Sequence, residues 1–175
     1  MNAAFHPHME ILPPAQQRLW SELRPTMALG FGNTLSILIP YGDSEHTHVK
    51  VSFFGALGFG RVGNPDLTED GVLQIASLND LMATKVKVIL QRAEKKDYRD
   101  IAAMINAGVN LSVGLSAACE LFGSTFQPSE SLKAMVYFND GDLPTLTADE
   151  KNTLVTAVTN VRELPEIAIL SKQLV

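Results

Sequence analysis

A lysine on the apolar face of a helix is the first residue here that points to chemistry. Lys85 falls on the series 78, 81, 85, 88 and 92, within a helix that the pattern predicts from Ser77 to about Arg92. An ammonium on such a stripe must reach back to water or meet a partner at the rim of a cleft. Arg92 continues the same series, and Asp97 and Asp100 open the next helix on the side shared with Ile101 and Met104. If the two helices pack as an antiparallel hairpin, both acids lie near the Arg92 end, with Lys85 about two turns further along. Two roles fit these acids. They suit an N-cap and first-turn position favoured by the helix dipole, with structural ion pairing, and they equally suit a site. Spacing leaves both open.

The positive charge is local. Lys85, Lys87, Arg92, Lys95, Lys96 and Arg99 share one helical hairpin in a chain whose formal charge is -5. That balance excludes a protein holding nucleic acid by bulk charge. A patch of this kind could hold phosphate or RNA, but a solvated face paired with Glu94, Asp97 and Asp100 is the better reading. The remaining candidates are weaker. His46 and His48 would share a face of a strand, and His6 and His8 repeat the spacing, but no cysteine or carboxylate cluster accompanies either pair. Asp140-Gly141-Asp142 lies in a late loop and reads as an acidic turn rather than a metal site. Leu57-Gly58-Phe59-Gly60-Arg61 lacks the third glycine and the following helix of a phosphate-binding fingerprint. No set of metal ligands is expected.

These side chains need a scaffold. After a loose lead-in over residues 1–10, Pro13-Pro14 introduces a short helix with Ala15, Leu19 and Leu23 on one face, ended by Pro25. Thr26 to Gly32 is broken by glycine and carries no clear period. Thr34 to Pro40 reads as a β-branched strand, Tyr41 to Ser44 as a turn, and His48 to Phe54 as a half-buried strand. Gly55 to Gly63 reads as a bulged strand and Val72 to Ile75 as a fourth, short one. Strands joined by short turns predict an antiparallel meander.

From Ser77 the period turns helical, with Ser77 as cap and Asp80 completing an acidic capping box. Leu78, Leu81, Met82, Val88 and Ile89 form the expected apolar stripe. Further helices are expected over about Asp97 to Ala107, stopped by Gly108, and over Leu111 to Phe122, Ser129 to Phe138 and Thr147 to Val161. The fold class is α+β. One domain over 1–175 is expected, with a small, mostly antiparallel sheet at 33–76 followed by a helical half at 77–162. Cys119 is the lone cysteine, no stretch approaches the ~20 apolar residues of a membrane span, and the first ten residues do not read as a signal peptide. A cytoplasmic protein is expected.

The run Ala76-Ser77-Leu78-Asn79-Asp80-Leu81-Met82-Ala83-Thr84-Lys85, continuing through Leu90-Gln91-Arg92 to Lys96-Asp97-Tyr98-Arg99-Asp100-Ile101, resembles the AbiEii/AbiGii toxin family of nucleotidyltransferases. The resemblance extends upstream through His48 and downstream to Pro144. It implies a nucleotidyltransferase fold in which Lys85 contacts nucleotide phosphates, with Lys87 and Arg92 as supporting cations. Asp97 and Asp100 would be the acids of the helical part, in catalytic or structural roles. It also implies Mg²⁺ with a nucleoside triphosphate in an active member and an antitoxin protein as partner; the acceptor, RNA or another, is not specified by the sequence.

The chain departs from that pattern at one place. Family members carry a Gly-Gly or Gly-Ser turn followed by Asp-x-Asp on a strand, and those carboxylates hold the divalent metals. Here Leu29-Gly30-Phe31-Gly32 is followed by no such pair, and Asp43 is the first aspartate of the chain. The sequence reads as a truncated nucleotidyltransferase-like fold lacking its first catalytic strands. Impaired catalysis is therefore expected. The alternatives are an interaction module that self-associates through its sheet edge as a homo-oligomer, or a transferase that rebuilds its metal site from Asp43, Glu45 or acids of a second chain.

Overall fold

A computed structural model of the chain describes residues 27–31, 34–40, 48–54 and 58–173. The helix expected after Pro13-Pro14, the turn at Tyr41 to Ser44, His6, His8, His46, Asp43 and Glu45 lie outside the described residues. The fold is α+β, and the chain divides into two compact units, 1–57 and 58–175.

The first unit contains a meander in the order β1 (Met27–Phe31), β2 (Thr34–Pro40) and β3 (His48–Phe54), antiparallel throughout. Thr34, Ile37 and Ile39 give β2 three β-branched residues, which suit a pleated surface. Ile37 stands opposite Val51 and is buried, and Ser36 and Ser52 share a hydrogen bond of 2.8 Å across the same pair. β1 occupies the stretch whose glycines hid any period. β3 departs from simple alternation: Val51 and Ser52 are half-buried, whereas both of its ends are exposed.

The second unit begins without regular structure. Among the described residues of the bulged strand expected over Gly55 to Gly63, Gly58 to Gly60 carry no strand and Arg61 forms an isolated bridge to Ser171. A hairpin of two-residue strands follows, β4 (Asp66–Leu67) against β5 (Gln74–Ile75). Five helices come next: α1 (Leu78–Val88), α2 (Lys95–Asn106), α3 (Leu111–Phe122), α4 (Pro128–Met135) and α5 (Ala148–Asn160). Asn110 caps α3, and Thr147 with Glu150 forms a complete capping box on α5. Gly108 ends α2 with φ at +92°.

The core of this unit is helical. α1 buries Met82, Ala83, Val86 and Ile89, and packs most extensively on α3. A Cβ at Gly114 would stand 2.2 Å from the Met82 Cγ, so glycine is what lets these two helices approach. α2 packs on α1 and α5, adding Tyr98, Ile101 and Met104 to the same core. Leu78 and Leu81, expected on the buried stripe, are exposed. The core face of α1 is thus rotated by about one residue from the series 78, 81, 85, 88, 92, which forms its border. Beyond α5 the chain runs without regular structure back to the start of the unit. There the Arg61 N–H donates to the Ser171 carbonyl at 2.9 Å and the Leu170 N–H to the Arg61 carbonyl at 2.9 Å. Gly60 permits this approach, since its Cβ would lie 2.0 Å from that Ser171 oxygen.

Candidate functional site

The site candidates meet where α1 turns into α2. α1 stops at Val88, a turn earlier than the sequence pattern suggests, with Lys85 and Lys87 in its last turn as the helix dipole favours. Lys85 is consequently one turn, rather than two, from the end of the helix, and its ammonium reaches the acids of α2 directly. α2 starts at Lys95 after Glu94, which supplies no side-chain cap. The Lys95 N–H instead donates to Asp142 Oδ1 at 2.6 Å. The capping role expected of Asp97 and Asp100 therefore falls to a distant loop, and their carboxylates are turned to the cations.

Asp97 is wholly buried, with 0% of its side chain exposed. Its Oδ1 accepts from the Lys85 ammonium at 2.8 Å and from Arg92 Nη2 at 3.3 Å, while its Oδ2 accepts from Arg92 Nε at 2.8 Å. Lys85 also donates to Asp100 Oδ2. Arg92 approaches Glu94 at 3.7 Å, and Glu94 pairs with Lys96 at 2.6 Å. The result is a chain of alternating sign from Asp100 through Lys85, Asp97, Arg92 and Glu94 to Lys96. Burial graduates along it: the side chain of Lys85 is 25% exposed and that of Asp100 52%.

The electrostatics follow from these contacts. Burial pushes the Lys85 ammonium toward the neutral form, but hydrogen bonds to Asp100 and Asp97 outweigh it and raise its pKa. Burial likewise works against the Asp97 carboxylate, and the bonds from Arg92 and Lys85 overcome it, so its pKa is lowered. The Arg92 guanidinium is raised further by Asp97. Each group is thus held in its charged form by the others.

Lys87 does not join them. Its ammonium donates to the Thr125 carbonyl at 2.8 Å and the Thr125 hydroxyl at 2.9 Å, and lies 5.1 Å from the centre of the Phe122 ring. Two positions along a helix place it on a different face from Lys85. Arg99 pairs with Glu150 at 2.8 Å, and Lys95 donates to the Thr145 carbonyl at 3.0 Å. The six cations of this hairpin all have acceptors within the unit. A groove of about 450 Å³ opens between α2 and α5, lined by Lys96, Arg99, Asp100, Asn106 and Glu150. Asp100 therefore borders both the ion chain and open solvent.

The family described as nucleotidyl transferase AbiEii toxin, type IV toxin–antitoxin system, matches residues 11–161. The chain belongs to the AbiEii family. No curated protein and no solved structure matched it. The match to AbiEii takes in the strands and helices formed by the described residues, from β1 to α5, so the stretch Ala76 to Ile101 marked the family correctly. Among the described residues of this AbiEii chain, no helix is long and apolar enough to cross a membrane.

Two acids carry roles that the sequence did not reveal. Asp80 is nearly buried, and its carboxylate accepts the N–H groups of Val62 at 2.8 Å and Gly63 at 3.1 Å, as well as the Ser77 hydroxyl at 2.6 Å. Ser77 accepts from the Asp80 N–H as expected of a cap, but the returning half of the box is directed to the segment before the hairpin. Asp142 is the other, as the cap of α2. An acid three residues after a serine gave the only hint of the first, and nothing local signals the second.

Proposed function

We propose that this AbiEii-type chain is a nucleotidyltransferase-like protein that keeps nucleotide-side residues and has lost the transfer step. One observation carries the reading: both oxygens of Asp97 are taken up by Lys85 and Arg92, leaving neither for a metal. Asp100, which the resemblance also casts as catalytic, is engaged by Lys85. Among the described residues no group of three or more His, Cys, Asp or Glu side chains gathers to hold an ion, so they do not fit the divalent metal of an active member. The absence of Asp-x-Asp from the stretch between Gly32 and Phe54 supports the same conclusion.

In this reading Lys85 is the phosphate-binding cation and Asp97 a positioning residue, holding the ammonium from the buried side. Arg92 supports Asp97. Lys87, which the resemblance casts as a second supporting cation, stabilises the α3–α4 connection instead. A triphosphate would compete with Asp100, the more exposed partner of Lys85. The protein acts in the cytoplasm, with an antitoxin protein as partner.

Calorimetric titration with each of the four ribonucleoside triphosphates, with and without Mg²⁺, tests the proposal. Binding that Lys85→Ala abolishes, without transfer of label from the nucleotide to RNA or protein, is the expected result. No binding in the wild type removes the nucleotide from the account. Label transfer abolished by Asp43→Ala would revive an active enzyme with a rebuilt metal site.

A further inference from the structure

The β4–β5 hairpin and the first turn of α1 carry six large apolar side chains in contact with solvent. Val72 is 74% exposed, Leu67 63% and Leu73 63%, with Ile75, Leu78 and Leu81 also exposed. The register shows that the hairpin is uncovered on both sides. Asp66 stands opposite Ile75 and Leu67 opposite Gln74, so Ile75 and Leu67 lie on opposite faces, yet both are exposed. A two-stranded hairpin is marginal by itself in water, and a run of exposed large apolar residues marks a contact surface.

Charge decides what covers it. Asp66, Glu69 and Asp70 are exposed on this hairpin, and the sequence holds no lysine or arginine between Arg61 and Lys85. Asp70 accepts from the Thr68 hydroxyl and the Val72 N–H within the tight turn, whereas Asp66 and Glu69 enter no ion pair among the described residues. A second copy of the chain fits poorly. A two-fold contact through this face would set the three acids of one copy against those of the other. The helices also offer the hairpin few free cations. Every lysine and arginine from Lys85 to Lys151 donates to an acceptor within its own unit, including Lys133 to Glu130 and Lys151 to the Pro144 carbonyl. Anionic membranes and nucleic acids are repelled by the same acids.

We propose that the β4–β5 hairpin with the start of α1 is a docking surface for a basic, amphipathic segment of a different protein. Apolar side chains of that segment cover Leu67, Val72, Leu73 and Ile75, and its lysines or arginines face Asp66 and Glu69. The claim is independent of nucleotide binding, because the hairpin shares no residue with the Lys85 cluster.

The probe is a fluorescent amphipathic helix made of leucine and lysine, titrated against the full chain by anisotropy, with amide shifts mapped by NMR. Shifts confined to residues 66–81 are expected. Asp66→Lys with Glu69→Lys, and separately Val72→Ser with Leu73→Ser, should each weaken binding about tenfold, the equivalent of ~1.4 kcal/mol. The charge-matched control Glu163→Lys with Glu166→Lys should leave it unchanged. Circular dichroism checks that each variant stays folded. Equal weakening by the control, or shifts spread over the whole chain, would reduce the effect to bulk charge and overturn the proposal. So would a dimer in sedimentation that Val72→Ser with Leu73→Ser dissolves, since the occupant would then be a second copy. Tighter binding to vesicles of anionic lipid than to the peptide would also overturn it.

Discussion

Asp97 and Asp66 are the same residue type in one compact unit, and the chain surrounds them in opposite ways. Asp97 has no exposed surface and receives three N–H bonds from two cations. Asp66 sits on an exposed hairpin beside Glu69, with neither in an ion pair among the described residues. The first set of charges is paired within the fold: Lys85, Asp97 and Arg92 hold one another ionised, and the exposed Asp100 is the one partner of Lys85 that a triphosphate would displace. The second set does nothing for the fold and is open to recognition. A basic run in sequence therefore says little about where a protein presents charge. What matters is which charges lack an internal partner.

The difference can be attacked at its strong end first. Asp97→Ala leaves Lys85 and Arg92 without their shared acceptor and should cost about 3 kcal/mol, as breaking a buried pair does. Urea denaturation measures it; a loss no greater than that of a surface substitution would make the cluster peripheral to stability.

The pH dependence comes next in size. The Asp97 pKa is lowered on folding, so its contribution is present above the ordinary aspartate value of about 3.9 and is lost as pH falls through the folded value. The Lys85 pKa is raised, so its contribution is present below about 10.4 and is lost as pH rises through the folded value. Thermal melts should fall off at both extremes, with Asp97→Asn flattening the acid limb. An acid limb unaltered by that change would assign it to other carboxylates.

Asp100→Asn should have a smaller effect, below ~1 kcal/mol, because the residue is half exposed and Asp97 keeps its hold on Lys85. The same variant sharpens the functional reading, since removing the competitor of Lys85 should tighten triphosphate binding. Smallest of all, Asp66→Lys with Glu69→Lys should leave the denaturation midpoint where it is. A clear shift there would mean that the hairpin acids serve the fold after all.

Much of this was legible in the residues. β2 and β3 stand where β-branched and alternating runs put them, the helices from Leu111 onward lie within a few residues of the expected segments, and Thr147 caps the last of them as its sequence displays. The convergence of Lys85, Arg92, Asp97 and Asp100 was legible too, because helical spacing and a short connection leave few other arrangements. β1 was not, since Gly30 and Gly32 erase the alternation of Met27–Phe31. The core face of α1 was misjudged because the small Ala83 and Val86 read weakly as core, whereas they and Met82, which packs against Gly114, are buried and the bulkier Leu78 and Leu81 are exposed. Asp142 capping α2 was beyond reach, since the two residues are brought together only by the packing of α5 against α2.

The bridge between Arg61 and Ser171 gives the helical unit a closed outline: the segment that enters it and the one that leaves are joined by backbone hydrogen bonds. A short linker from residue 173 to residue 58 would thus span neighbouring points, and the unit could be cut open in a surface loop without separating α1 from α2. Such a circular permutant would carry the Lys85 cluster intact while freeing it from the preceding strands. The arrangement of these helices owes more to their mutual packing than to the order in which the chain visits them.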